Sequence, residues 1–405
     1  MVFLFIIAGI PLFSIAWWIW AQRRLNRLGV SKTWTVVLGV SMAVVLGGFA
    51  WILLDRAGLV PARLPGSLYA PVMLWGLLFL PLLAVPSMLL GGLWKGARRI
   101  AGRGGARRPA SPGEPDASQT ADRPVVESDG MSRRRMLGAT AVTLPVIATF
   151  GTTLTSLPQQ SRFRVRDLVI EVPNLPGTLD GLRIAQVSDT HVGKFTNGKV
   201  LEELAEATNR LEADLVMLTG DLIDSSLDDL PAAMEMVTAM DRREGLVAIE
   251  GNHDLFQGAE EFARGVRSRG VTLLRDEAIT FRVRGEAVQI LGIRWHGRGG
   301  SIDEHVDAVA DLREEGAFPI LLAHHPHAFD RAVHRGLPLT LAGHTHGGQT
   351  MLTPEVGVGP LLFKYWSGLY QRDNSALVVS NGAGNWFPLR TRAPAEIVHL
   401  TLRKA

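Results

Sequence analysis

Hydrophobic and polar positions divide this chain into two regimes. In the first, apolar residues run almost without interruption over Val2–Ala21, Trp34–Leu54 and Ala70–Trp94. Runs of this length predict helices that can each cross a hydrocarbon core of about 30 Å, which takes roughly 20 residues. A fourth run, Met136–Leu157, carries no charge and is rich in Thr and Ala. It is less apolar than the others, and whether it spans decides the topology.

From about Ser161 the period changes. Arg183–Val187, Leu215–Leu218, Leu246–Ile249, Ile320–Leu322 and Leu339–Leu341 read as buried strands, and Val271–Leu274, Ile279–Val283 and Ala287–Ile293 as further strands. Val200–Leu211, Pro231–Met240, Ala259–Arg267 and Asp303–Arg313 carry helical spacing, and a tail of extended runs follows at Ala376–Ser380 and Glu396–Leu402. Alternating strands and helices predict a layered α/β fold, and the added strands predict a second sheet.

Charge placement orients the apolar half. Arg23, Arg24, Arg27 and Lys32 follow the first run; Lys95, Arg98, Arg99, Arg103, Arg107 and Arg108 follow the third; Arg133–Arg135 precede the fourth. Such loops are retained in the cytoplasm. The loop after the second run has only Arg56 and Arg63, offset by Asp55. With four spans the second half of the chain is extracytoplasmic, which is the expectation here; with three it is cytoplasmic. The run Ser132-Arg133-Arg134-Arg135-Met136-Leu137 resembles the twin-arginine export signal, with Met136 where that pattern prefers Phe. A positive-inside anchor explains the same arginines. The expected division is a membrane region at 1–100, a disordered linker at 101–132, an anchor at 133–158 and a folded domain at 159–405. The linker prediction rests on Gly102–Gly130, rich in Pro, Gly, Ser, Ala, Asp and Arg.

Composition sharpens the contrast. Seven of the ten Trp lie before position 95, whereas all eleven His lie at or after 191. The chain has no Cys, which excludes disulfides, thiolate nucleophiles and thiolate metal sites. A net charge of +3, with the arginines beside apolar runs, gives no reason to expect a nucleic-acid partner.

The candidate chemistry sits at five polar clusters, each directly after a predicted strand. They are Asp189-Thr190-His191, Gly220-Asp221-Leu222-Ile223-Asp224, Gly251-Asn252-His253-Asp254, Leu322-Ala323-His324-His325 and Gly343-His344-Thr345-His346. Ligands of α/β sheets bind beyond the carboxyl ends of the strands. Carboxylates, an Asn carboxamide and imidazoles on one rim suit divalent metal ions, and a metal pair suits phosphoester hydrolysis. His325 and His327 read as rim residues, and Asp224 as a supporting or helix-capping residue. His296, His305, His334 and His399 match no pattern. Arg390 and Arg392, beside Asn385-Trp386-Phe387, read either as contacts for an anionic substrate or as surface charges.

The order D-x-H, G-D-x-x-D, G-N-H-D, a lone His after a strand, then G-H-x-H resembles the signature of the calcineurin-like metallophosphoesterases. The match runs from about Leu182 to Gly348. The stretch Val379–Leu402, with Ser380-Asn381-Gly382-Ala383-Gly384 and Pro394-Ala395-Glu396-Ile397, resembles the bacterial membrane-associated branch. The resemblance implies a four-layer αββα sandwich behind the N-terminal transmembrane helices. It implies two divalent metal ions, Mn, Zn or Fe. Asp189, His191, Asp221 and His346 would hold one, and Asp221, Asn252, His324 and His344 the other. It further implies a metal-bridging hydroxide as nucleophile and His253 as the proton donor to the leaving oxygen, with Asp254 orienting it. The implied activity is that of a membrane-anchored phosphomonoesterase or phosphodiesterase acting on lipid or cell-envelope phosphoesters. The competing reading is an inactive membrane sensor or scaffold that keeps the fold for ligand binding.

Overall fold

The computed structural model describes residues 2–60, 64–93, 133–295, 301–353 and 356–405. The expected linker Gly102–Gly130, the end of the third apolar run at Trp94, and His296 lie outside them. The described chain divides into two compact units, Met1–Thr153 and Leu154–Ala405.

In the first unit each apolar run becomes a helix: α1 (Val2–Leu28), α2 (Lys32–Arg56), α3 (Gly66–Leu93) and α4 (Arg133–Ser156). Among the described residues three stretches, Lys32–Asp55, Gly66–Leu93 and Arg135–Gln159, are long and apolar enough to cross a membrane. The first expected span lies within α1. Wider π-type turns occupy Trp75–Ala84 of α3, where Pro81 has no N–H to donate. Trp17 and Trp75 are fully buried and pack edge to face, ring centroids 5.0 Å apart. The Trp75 indole N–H donates to Ser14 Oγ at 2.9 Å, so the polar end of each side chain is satisfied inside the bundle.

The second unit is built on two six-stranded sheets. The first has the order β1 (Phe163–Val172), β14 (Ala395–Lys404), β2 (Leu182–Val187), β3 (Leu215–Thr219), β4 (Gly245–Ile249), β5 (Thr272–Leu274). The second has the order β12 (Gly368–Arg372), β13 (Ser375–Val379), β9 (Leu339–Ala342), β8 (Phe318–Leu322), β7 (Glu286–Gly292), β6 (Glu277–Val283). β2 to β5 run parallel, as do β7, β8, β9 and β13; β6 and β12 are antiparallel edges.

Side chains alternate across each strand, so both faces of a central strand must be covered. Ile184, Met217 and Val247 of the first sheet meet Ile290, Ile320 and Leu341 of the second in one shared core. The alternate residues Ala185, Val216 and Leu218 pack under α5 (Lys199–Arg210), α6 (Leu230–Thr238) and α7 (Ala259–Arg267). On the far side, Leu291 and Leu321 pack against Val306 and Val309 of α8 (Ile302–Ala310) and Ala328 and Ala332 of α9 (Ala328–His334). The result is four layers: helices, sheet, sheet, helices. A small hairpin, β10 (Met351–Thr353) and β11 (Val356–Gly357), and the short helix α10 (Gly359–Leu362) follow β9. The carboxyl ends of β2, β3, β4, β8 and β9 deliver all five polar clusters to one edge of the sandwich.

Candidate metal centre

The chain turns sharply where each strand stops. Asp189, His191, Asp221, His344 and His346 all adopt left-handed backbone conformations, with φ of +50°, +44°, +54°, +72° and +50°. Each such residue costs on the order of 1–3 kcal/mol and persists only where its surroundings fix it. Cross-links between neighbouring loops do so here. The N–H of Asp189 donates to the Gly220 carbonyl at 2.9 Å, that of His191 to Asp221 at 3.0 Å, and that of Gly343 to His324 at 3.1 Å.

Two glycines make room. A methyl group on Gly220 (φ +91°) would lie 2.6 Å from His324 Nδ1, and one on Gly251 would lie 2.2 Å from Asp221 Oδ1. Neither position accepts a side chain while the ligands stay in place.

Two ligand groups result. Asp189, His191 and His346 form one, and Asp221, His324 and His344 the other, with the ligand atoms of each within 4.8 Å of one another. In the first, His191 Nε2 and His346 Nε2 face each other at 3.0 Å, and His346 Nε2 is 3.3 Å from Asp189 Oδ1. In the second, His324 Nε2 is 3.1 Å from Asp221 Oδ2 and 3.3 Å from His344 Nδ1. Asp221 Oδ2 also lies 3.6 Å from His191 Nε2, so this carboxylate stands between the groups. His253 forms a third set with His191 and Asp221. Asn252 Oδ1 is buried without a hydrogen-bond partner among the described residues, a free acceptor at the rim. Converging imidazoles, two carboxylates and an unused amide oxygen, with no thiolate, fit hard to borderline divalent cations.

Hydrogen bonds fix the ring orientations. His324 Nδ1 meets the Thr219 carbonyl at 2.8 Å, turning Nε2 toward Asp221. Of the two adjacent histidines, His324 is therefore the one brought inward. His325 is a rim residue whose Nδ1 accepts the His327 N–H at 3.2 Å. His346 Nδ1 accepts from Arg390 Nη2 at 3.0 Å.

Burial sets the charges. It pushes the Asp189 carboxyl up to about 6, aided by the charge of Asp221. It lowers His191 and His346 well below the usual imidazole range, so both rings are neutral. For His324 burial opposes the charge, but Asp221 outweighs it and raises the imidazole to about 10. Burial likewise works against Asp221, yet His324 and His191 hold it well below the carboxylate range.

Two expectations change. Asp254 does not hold His253. Its carboxylate accepts the N–H of Ile223 at 3.0 Å and of Gly251 at 2.9 Å, and burial raises it to about 7. The group that meets His253 Nδ1 is the Asp224 carbonyl, at 2.6 Å. Arg390 is neither a surface charge nor free for substrate. It is 2% exposed, and all five N–H groups are used on Asn385 Oδ1, the carbonyls of Asn381, Ala393 and Gly384, and His346 Nδ1. It clamps the Asn381–Ala393 loop onto a ligand. Arg392 is exposed. Sequence reasoning also missed Trp295, whose ring lies 5.2 Å from that of His344 and 5.6 Å from that of His324. An isolated Trp between a strand and a glycine-rich stretch carries no motif.

Comparison with known proteins places this geometry. Residues 182–348 match the calcineurin-like phosphoesterase family. The chain is 31% identical over 276 residues to a Danio rerio protein named transmembrane protein with metallophosphoesterase domain, covering 64% of this chain and 61% of that one. It is 28% identical over 243 residues to an uncharacterized metallophosphoesterase of Helicobacter pylori, covering 58% and 64% respectively. A third relative, the uncharacterized metallophosphoesterase YkuE of Bacillus subtilis, is 28% identical over 239 residues, covering 56% and 82%. The chain thus spans just under two thirds of the length of the first two.

Proposed function

Because the chain carries a calcineurin-like phosphoesterase domain, we propose that it is a membrane-anchored phosphoesterase acting on lipid or cell-envelope phosphoesters at a two-cation site. One observation carries the reading: Asp221 Oδ2 stands 3.6 Å from His191 Nε2 and 3.1 Å from His324 Nε2, between two complete ligand groups. Asp189, His191, Asp221 and His346 would hold one cation; Asp221, Asn252, His324 and His344 the other. A shared carboxylate offsets repulsion between dications roughly 3.5–4 Å apart. When bound, two ions of Mn, Zn or Fe would supply Lewis acidity and a water of lowered pKa.

The chain's own groups do the rest. His253 stands at the mouth with Nδ1 held on the Asp224 carbonyl, which leaves Nε2 to donate to a leaving oxygen. Burial opposes its charge, but the Asp224 and Asp221 carboxylates outweigh it, so the imidazole keeps its proton to higher pH than usual. The Phe256 and Trp386 rings lie tilted beside it, with centroids at 4.7 and 5.7 Å.

Exposed apolar residues support a lipid substrate. Leu361 and Leu362 are 83% and 65% exposed, and the neighbouring Phe363 ring lies 5.9 Å from His344. Phe256, 59% exposed, flanks the mouth on the His253 side. Exposed apolar groups beside a polar site suit acyl chains next to a phosphoester.

The test uses the full chain in detergent, stripped of metal and reloaded with Mn, Zn or Fe singly. Phosphatidic acid, a phospholipid diester and water-soluble esters with matched leaving groups are the substrates. Activity should require metal and favour the lipid ester. Leu361→Ser with Leu362→Ser should lower kcat/KM for the lipid by about tenfold, roughly 1.4 kcal/mol, and spare the soluble ester. A fully metal-loaded protein without turnover of any ester would establish the scaffold reading instead.

A further inference from the structure

The first unit contains a cavity of about 1270 Å³ between α1, α3 and α4. This exceeds the roughly 300–1,000 Å³ of ordinary small-molecule pockets. Its wall is apolar along most of its length, with Leu82, Leu83, Ile19 and Val142 among the lining residues. One end differs. Arg23, Arg24 and Arg27 line it, together with Gly92, where an added Cβ would meet open space, and Gly91 and Gly138, against which Trp20 and Leu28 pack closely.

The lining contains no acid. Among the described residues of this unit the sole carboxylate is Asp55, at the other end of α2 from Lys32. Three guanidinium groups thus gather at one end of an apolar slot without an opposite charge among the described residues of its lining.

The dimensions match one leaflet. From Ala16 to Arg27 on α1, and from Leu82 to Gly92 on α3, the lining covers eleven and ten residue steps. At a rise of 1.5 Å per residue these are about 16 and 15 Å. Half of a 30 Å hydrocarbon core is about 15 Å. A slot of this length suits the distance from headgroup level to the bilayer midplane.

We propose that this cavity is a binding site for one anionic phospholipid, its phosphate held by Arg23, Arg24 and Arg27 and its acyl chains lying along α1, α3 and α4. The inference rests on the reading that these helices cross a membrane. It is independent of catalysis, because none of the lining residues belongs to the phosphoesterase unit. Basic pockets between spanning helices are suited to anionic headgroups, and a lipid phosphate completes the charge balance that the helices lack. The site lies on the arginine-rich side, where positive charge is retained.

The test is native mass spectrometry of the full chain released from nanodiscs of equal phosphatidylglycerol and phosphatidylcholine. The wild type should retain one phosphatidylglycerol with about tenfold preference over phosphatidylcholine. Arg23→Gln, Arg24→Gln and Arg27→Gln together should bring the two lipids to parity. Because that variant also changes the charges that set topology, Gly92→Leu is the second arm. An added Cβ at Gly92 meets nothing within 4 Å, so leucine adds bulk to the lining at the arginine end without displacing a helix or a charge. It should expel the retained lipid while the protein elutes from size exclusion unchanged. Equal retention of both lipids by the wild type, or a Gly92→Leu protein that keeps phosphatidylglycerol, overturns the proposal.

Discussion

His253 and His344 both converge on Asp221, yet the proposed mechanism asks different things of them. His344 Nδ1 points at His324 Nε2 inside a ligand group, whereas His253 Nδ1 is tied to the Asp224 carbonyl. His253→Ala should keep both metals and lose about 10²–10⁴-fold in rate on esters with high-pKa leaving groups. Activated aryl esters leave without a proton and should lose much less. His344→Ala should shed metal and damage every substrate alike. Elemental analysis alongside kinetics decides it: metal loss in the His253 variant would turn its closeness to His191 and Asp221 into ligation. The same residues set a pH dependence. His324 is raised to about 10 and Asp189 to about 6, so His324 at neutral pH, and Asp189 as well below about 6, hold protons that a cation must displace. Metal affinity should therefore rise with pH and fall steeply below about 6. Calorimetry in buffers of different ionisation enthalpy should detect release of about one proton at pH 7.5 on loading. Loading without proton release would show that His324 is neutral before metal arrives.

At the level of elements, the site is a set of strand ends forced into strained turns. Gly220 ends β3 at φ +91°, and a Cβ there would strike His324 Nδ1 and the Gly251 amide. Gly220→Ala should cost more than the roughly 1–2 kcal/mol that a residue with a Cβ pays in the left-handed region, because His324 has to move as well. It should also weaken metal binding with every ligand still present in the sequence. Normal metal content and an unchanged melting temperature would mean that the cradle is not tight. The strands ending at β2, β3, β4, β8 and β9 were legible because an apolar run gave way abruptly to Asp, Asn or His. β1 was not. Its sequence, Phe163–Val172, alternates with Arg164, Arg166 and Glu171, and its pairing partner is the last strand of the chain. Arg164 and Arg166 reach the buried Glu396 at 3.0 and 2.9 Å, a contact between residues more than two hundred positions apart. Local pattern cannot announce such a pair. Asp254 was misassigned for the opposite reason, proximity. It follows His253 in a 3-10 turn, where successive side chains point about 120° apart. Adjacency in sequence put it next to His253, and the turn aimed it at Ile223 and Gly251 instead.

At the scale of the whole molecule, the helix α4 links the two regimes and its placement decides where the chemistry happens. It runs Arg133–Ser156, and the stretch Arg135–Gln159 is long and apolar enough to span. Arg133–Arg135 open it and Ser156-Leu157-Pro158 close it, so the charge difference favours insertion with the arginines in the cytoplasm. On that basis we propose that the phosphoesterase unit emerges on the extracytoplasmic side. The absence of any Cys makes this testable with single introduced thiols. Gly113→Cys in the linker should resist an impermeant thiol reagent applied to intact cells. Ser161→Cys, exposed just beyond the helix, should react. Permeabilised cells should label at both positions, which checks that each thiol is accessible. Labelling at position 113 with protection at 161 would reverse the orientation of α4. Protection at both would place α4 wholly on the cytoplasmic side and make this an inner-face phosphoesterase, working on a different leaflet.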